Sequence, residues 1–139
     1  MNKVKITVLK TLLLEDVVKQ HGKPELGPCA AMKEGAVYYA DIKCPEGFCH
    51  TAWNCIYQYV FALANGGGKE GFFYNDWTKE PGGAISSCND GFRPVIFKLE
   101  ATDIPSENDP KINQIQFLYL IQGKYKIGSR KDSRFYILL

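Results

Sequence analysis

"PEGFCHTAWNCIYQYVFALANGGG", residues 45–68, decides how this chain is read. Proline and glycine open the stretch as a turn, and Asn65 with three glycines closes it. Between them the residues repeat with a helical period. With about 100° per residue and Cys49 at zero, Trp53, Ile56, Tyr57, Val60, Leu63 and Ala64 all fall within roughly 80° of it. The spacing predicts a helix over residues 49–64 with one apolar stripe and Cys49 on that stripe. Cys55 lies about 240° round, beside Thr51, Gln58 and Ala62, on the more polar side.

Strand signals flank this helix. Val4, Ile6 and Val8 alternate with Lys3, Lys5 and Thr7, a period of two that marks a half-buried strand. "LLLEDVVKQHG" reads as a short helix ending at Gly22 in a left-handed cap. "KPELGPC" is a breaker-rich loop. "GAVYYADI", "AISSC" and "RPVIFKLEA" are strand-like, and Asp90-Gly91 marks a turn between the last two. Pro94 lacks an N–H to give to a ladder, so its strand begins there or lies at an edge.

One helix among several short strands implies a small α+β domain over residues 1–101, its mainly antiparallel sheet packed against the principal helix. Residues 102–139 read as a linker, "TDIPSENDPK", followed by a β-rich C-terminal extension rich in Ile, Tyr, Phe and Leu. That extension could pair with a second subunit, giving a homo-oligomer.

Composition bounds the function. The 139 residues are 45% hydrophobic and 13% aromatic, enough for a real core, and the net charge is +2. Such a weak charge does not favour nucleic acid as a partner. Glu15 and Asp16 interrupt the apolar run near the start, so no secretion signal is expected. No stretch reaches the roughly 18 apolar residues that span a membrane. The sequence therefore suggests a cytoplasmic protein that does not enter membranes.

Five cysteines need an explanation: Cys29, Cys44, Cys49, Cys55 and Cys88. An odd count and a reducing cytosol argue against a disulfide framework. Cys49 stands in the first turn of its helix, where unpaired N–H groups and the helix dipole favour an anion such as a thiolate. Cys29 ends the "GPC" turn and Cys88 ends a strand. Convergence of Cys29, Cys49 and Cys88 at one edge of the sheet would suit zinc or an iron–sulfur cluster. Cys44, His50 or Asp90 could add a fourth ligand.

A second reading makes the protein a small thiol-dependent enzyme, with Cys49 as the reactive group and Asp90 as its proton partner. Trp53 and Arg93 would then contact a ligand. Trp53, Tyr57, Phe72, Phe73 and Trp77 could line a small-molecule pocket, and the planar fork of Arg93 suits a carboxylate or phosphate. The plainer role for Arg93 is an ion pair with Asp90. A third reading is an interaction module that uses the apolar tail.

These residues also carry a resemblance. "VKITVLK", "GPC", "PEGFC..AW..IY..V.AL..GG" and "C.DG.RPV.FK.E" resemble the shared pattern of a family of small, largely uncharacterised prokaryotic cysteine-containing proteins. The likeness covers most of residues 3–101. It implies that Cys29, Cys49, Cys88, Trp53, Asp90, Gly91 and Arg93 matter, and it does not pick out Cys44 or Cys55. It supplies positions without an activity, and the segment after residue 102 departs from it.

Overall fold

The computed structural model describes residues 1–68, 72, 77–79 and 81–110. The elements run β1 (Asn2–Thr11), α1 (Glu15–His21), β2 (Val37–Ala40), α2 (His50–Ala64), β3 (Gly83–Ser87) and β4 (Val95–Pro105). The chain divides into two compact units, Met1–Asn108 and Asp109–Leu139. All six elements belong to the first unit. The C-terminal extension expected from the sequence lies almost wholly outside the described residues.

Among the described residues the sheet has four antiparallel strands in the order β2-β1-β4-β3. Together with the two helices it makes a small α+β fold, as the sequence implies. The alternation in "VKITV" does what a period of two must do. Val4, Ile6 and Val8 point into the core and are at most 1% exposed, while Lys3, Lys5 and Thr7 face the other way. In register beside them, Leu99 and Phe97 of β4 sit opposite Ile6 and Val8, and Ala40 of β2 sits opposite Val4.

Helix α2 lies on this apolar face, burying Ala52, Trp53, Ile56, Val60, Leu63 and Ala64. Fully burying one large side chain of this kind stabilises a fold by about 1.5–3 kcal/mol, so the α2–sheet layer is the main source of cohesion. Phe48, just ahead of the helix, packs edge-on against Tyr38 and tilted against Phe97, with ring centroids 5.0 and 5.4 Å away. The opposite sheet face is polar at its centre. Lys5 and Lys98 flank Glu100 at 3.7 and 2.7 Å, surrounded by half-exposed Val37, Tyr39 and Ile85.

Three details differ from the sequence reading. Gly22 follows α1 with φ −94°, an extended rather than left-handed conformation. After α2 it is Gly66, at φ +82°, that turns left-handed, whereas Asn65 stays at φ −97°. Strand β4 runs on to Pro105, so Thr102–Pro105 belong to the sheet and not to a linker. Thr102 is held by its hydroxyl, which donates to the Lys3 carbonyl at 2.6 Å. Pro94 precedes a central strand, so it starts β4 and marks no edge.

Candidate functional site

The direction of α2 follows from what its ends touch. Gly68, just past its C-terminus, accepts a hydrogen bond from Gly82 N–H at 3.0 Å, beside the start of β3. The N-terminal end of α2 therefore points toward the other end of the sheet, where β3 finishes at Ser87 and Cys88 follows. The chain enters β2 from that end too, since Gly35 N–H donates to Val8 O at 2.8 Å. The segment carrying Cys29 leads into this entry.

Cys49 is the N-cap of α2, in an extended conformation (φ −69°, ψ 118°), and its carbonyl accepts the first intrahelical bond from Trp53 N–H at 2.9 Å. No side chain caps the helix, so its first-turn amides are not taken by a side-chain acceptor. Just upstream, Phe48 N–H donates to Pro45 O at 3.1 Å and closes a turn. Gly47 sits within that turn at φ +73°, a conformation that costs a residue with a Cβ about 1–2 kcal/mol.

Cys44 and Cys49 flank this turn. The Cys44 sulfur lies 3.8 Å from Pro45 O and 4.0 Å from Phe48 O. Burial, and then the neighbouring Cys49, push the Cys44 thiol up, so it is held protonated. The other sulfurs have separate surroundings. Cys55 Sγ donates to Thr51 O at 3.3 Å along its own helix. Cys88 Sγ accepts from Val95 N–H at 3.3 Å, while Cys88 N–H donates to Val95 O at 3.1 Å. All five thiols are free, half-buried and packed against the core cluster.

The sequence expects a three-thiolate centre at Cys29, Cys49 and Cys88. Among the described residues, which include all five cysteines, both histidines and Asp90, no three His, Cys, Asp or Glu side chains are grouped so as to hold a metal ion. Topology brings these segments toward one end of the sheet, but the Cys88 sulfur is turned onto a backbone amide within its own hairpin.

Asp90 is committed to its turn. Its Oδ1 accepts from Phe92 N–H at 2.9 Å and Arg93 N–H at 3.0 Å, and its Oδ2 accepts from Arg93 Nε at 3.0 Å. Burial raises the acid's pKa, but these bonds outweigh it and hold the carboxyl below its usual range. An ionised carboxylate so tied is a poor proton acceptor, which argues against its role as proton partner. The Asp90–Arg93 ion pair is present, and it engages Arg93 through Nε.

Trp53 is a core residue. It is 8% exposed, with Tyr57 at 5.4 Å and Phe48 at 6.3 Å between ring centroids. Phe72 packs edge-on against Tyr59, also at 5.4 Å, and Phe73 lies outside the described residues. Two surface hollows, of ≈ 400 and ≈ 360 Å³, are lined by residues before, in and after α1 (Leu13, Val18, Leu26) and by Trp77, Ile85 and Lys98. No cysteine lines either one.

Sequence reasoning missed one polar cluster altogether. Asp41, 3% exposed, accepts from Ser106 Oγ at 2.5 Å, from Asn108 Nδ2 at 3.0 Å, and from the N–H groups of Ile42 and Lys43 at 2.6 and 3.2 Å. Burial works against this carboxylate, yet its hydrogen bonds prevail and hold it below the usual range. Ser106 and Asn108 fall in the breaker-rich "TDIPSENDPK", where composition alone signals only a loop. No family model, curated protein or solved structure matches the chain. No helix among the described residues is long and apolar enough to cross a membrane.

Proposed function

We propose that this protein works through thiol chemistry, with Cys49 as its reactive group. One observation carries the reading. Cys49 is the sulfur placed at an uncapped helix N-terminus, and a second thiol, Cys44, is folded against the peptide that precedes it. The first-turn amides and the dipole make the start of this fifteen-residue helix a favourable place for negative charge. The alternatives are less suited. Cys44 is held protonated by burial, and Cys55 donates a hydrogen bond to the Thr51 carbonyl of its own helix.

In this reading Asp90 and Arg93 shape the β3–β4 turn and take no part in proton transfer. Trp53 anchors the first turn of α2 in the core, which fixes the position of Cys49 four residues before it. The test is competitive alkylation. Folded protein is exposed to limiting iodoacetamide, and the adducts are located by peptide mass spectrometry. Cys49 is expected to react at least about tenfold faster than Cys55, since reactive cysteines stand at helix N-termini. Labelling at Cys49 no faster than at Cys55 would overturn the assignment.

A further inference from the structure

We propose that Cys44 is the resolving partner of Cys49, so that the two thiols act as a dithiol toward disulfide substrates. The inference rests on the thiol reading above and gives it a substrate class and a reaction. Its basis is the turn that separates the two residues. A four-residue turn brings its first and last Cα atoms within about 7 Å. Here that turn is Pro45–Phe48, closed by the Phe48–Pro45 hydrogen bond and permitted by the left-handed Gly47, and Cys44 and Cys49 stand one residue outside its two ends.

The position of the Cys44 sulfur tightens the argument. It lies 4.0 Å from Phe48 O, the oxygen of the peptide that joins Phe48 to Cys49. Adding the dimensions of a trans peptide puts that sulfur no more than about 7 Å from the Cys49 Cα. A disulfide needs Cα atoms about 4.4–6.8 Å apart, a separation that side-chain rotation and a shift of the Pro45–Phe48 turn would together bring about. Neither strand pairing nor the α2–sheet layer has to open. Cys88 is less available, because its sulfur accepts the Val95 amide at the end of a hairpin.

The chemistry balances. Cys49 thiolate attacks one sulfur of a disulfide RS–SR, forming a mixed disulfide and expelling RS⁻, which takes up a proton. Cys44 then loses its proton and attacks the Cys49 sulfur, expelling the second RS⁻. The protein ends with a Cys44–Cys49 disulfide, and its two electrons have reduced RS–SR to two RSH. Burial and then the Cys49 charge raise the Cys44 thiol, and the second of these is lost once Cys49 enters the mixed disulfide, which eases the deprotonation the second step needs.

Oxidised glutathione is a sufficient probe. The reduced full-length chain, Cys44→Ser, Cys44→Ala and Cys49→Ser are each incubated with it and followed by intact mass and peptide mapping. The wild-type chain is expected to lose two hydrogens and to yield a Cys44–Cys49 linked peptide. Both Cys44 variants should instead hold one glutathione on Cys49, and Cys49→Ser should form neither product. A wild-type chain that keeps glutathione on Cys49 as persistently as Cys44→Ser overturns the pairing alone. So does a disulfide that maps from Cys49 to Cys29 or Cys88. No adduct or disulfide at Cys49 in the wild-type chain and both Cys44 variants overturns the pairing and the thiol reading together. A parallel arm with insulin, followed by release of its chains, separates protein disulfides from small ones as the source.

Discussion

The hydroxyl of Ser106 donates to the buried carboxylate of Asp41 across 2.5 Å, joining two residues 65 positions apart. Asn108 adds a second tie to the same carboxylate, and Ser106 N–H is fixed in turn by Met1 O at 3.1 Å. The end of edge strand β2 is thereby fastened to the chain that leaves β4, with β1 between them.

Replacing Asp41 by Ala should therefore be costly. It strands a buried hydroxyl and two backbone amides, and each buried unsatisfied group costs about 1–3 kcal/mol. A loss of about 3 kcal/mol in urea denaturation is expected. A change below about 0.5 kcal/mol, typical of surface sites, would mean that the cluster contributes little to the fold.

The same carboxylate sets an acid limit. Its pKa is depressed in the folded chain, so the folded state binds its proton less readily than the unfolded state does. Its contribution is complete above the unfolded value of about 3.9 and is lost as pH falls through the lower folded value. Denaturation midpoints should fall steeply below about pH 4. Asp90 and Glu100 shift in the same direction and add to the slope. Asp41→Asn should flatten the curve in that window, and an unchanged slope would exclude Asp41 from it.

Asp90→Asn separates turn-holding from proton transfer. The amide oxygen can still accept from Phe92 and Arg93 N–H, so the turn should survive with a loss of about 1 kcal/mol. The Cys49 alkylation rate should stay within about twofold of wild type, because Asp90 is tied to its own turn. A tenfold fall, about 1.4 kcal/mol in a barrier, would restore Asp90 as a proton partner.

Two glycines of similar conformation should respond differently to alanine. Gly47 (φ +73°) faces open space, so Gly47→Ala carries only the backbone cost of about 1–2 kcal/mol. Gly68 (φ +72°) would set its new Cβ 2.7 Å from the Phe72 ring and 3.1 Å from Leu63. Overpacking adds about 1–3 kcal/mol there. Thermal melts of the two variants should rank Gly68→Ala as the less stable, and equal midpoints would contradict that clash.

Chelation tests the dispersed thiols. Prolonged dialysis against a strong chelator should leave the thermal midpoint of the reduced protein unchanged, since no three ligands are grouped among the described residues. A drop restored by added zinc would bring Cys29, Cys49 and Cys88 back as a ligand set.

Much of the fold was legible because its signals are local. The alternation of Val4, Ile6 and Val8 and the helical spacing of Trp53, Ile56, Val60 and Leu63 each report which face meets the core. Cys49 could be placed at a helix start for the same reason. What the sequence leaves open depends on distance. Whether Cys29, Cys49 and Cys88 meet is a matter of side-chain direction at element ends, which periodicity does not encode. The Asp41–Ser106 bond joins a strand end to a breaker-rich segment, and neither residue type announces such a partner. Asp90-Gly91 was read correctly as a turn, but the Asp90 carboxylate secures it, and Gly91 is not among the left-handed glycines.

The sheet order carries a consequence for biosynthesis. Among the described strands β1 is made before the others, and its long neighbour β4 is made last. The two lie side by side at the middle of the sheet, so β1 keeps one edge unsatisfied until the whole intervening chain has been translated. Contacts so distant in sequence slow folding. The nascent chain must spend that interval with Val4, Ile6 and Val8 accessible to chaperones, and any product released before β4 would lack the centre of its sheet.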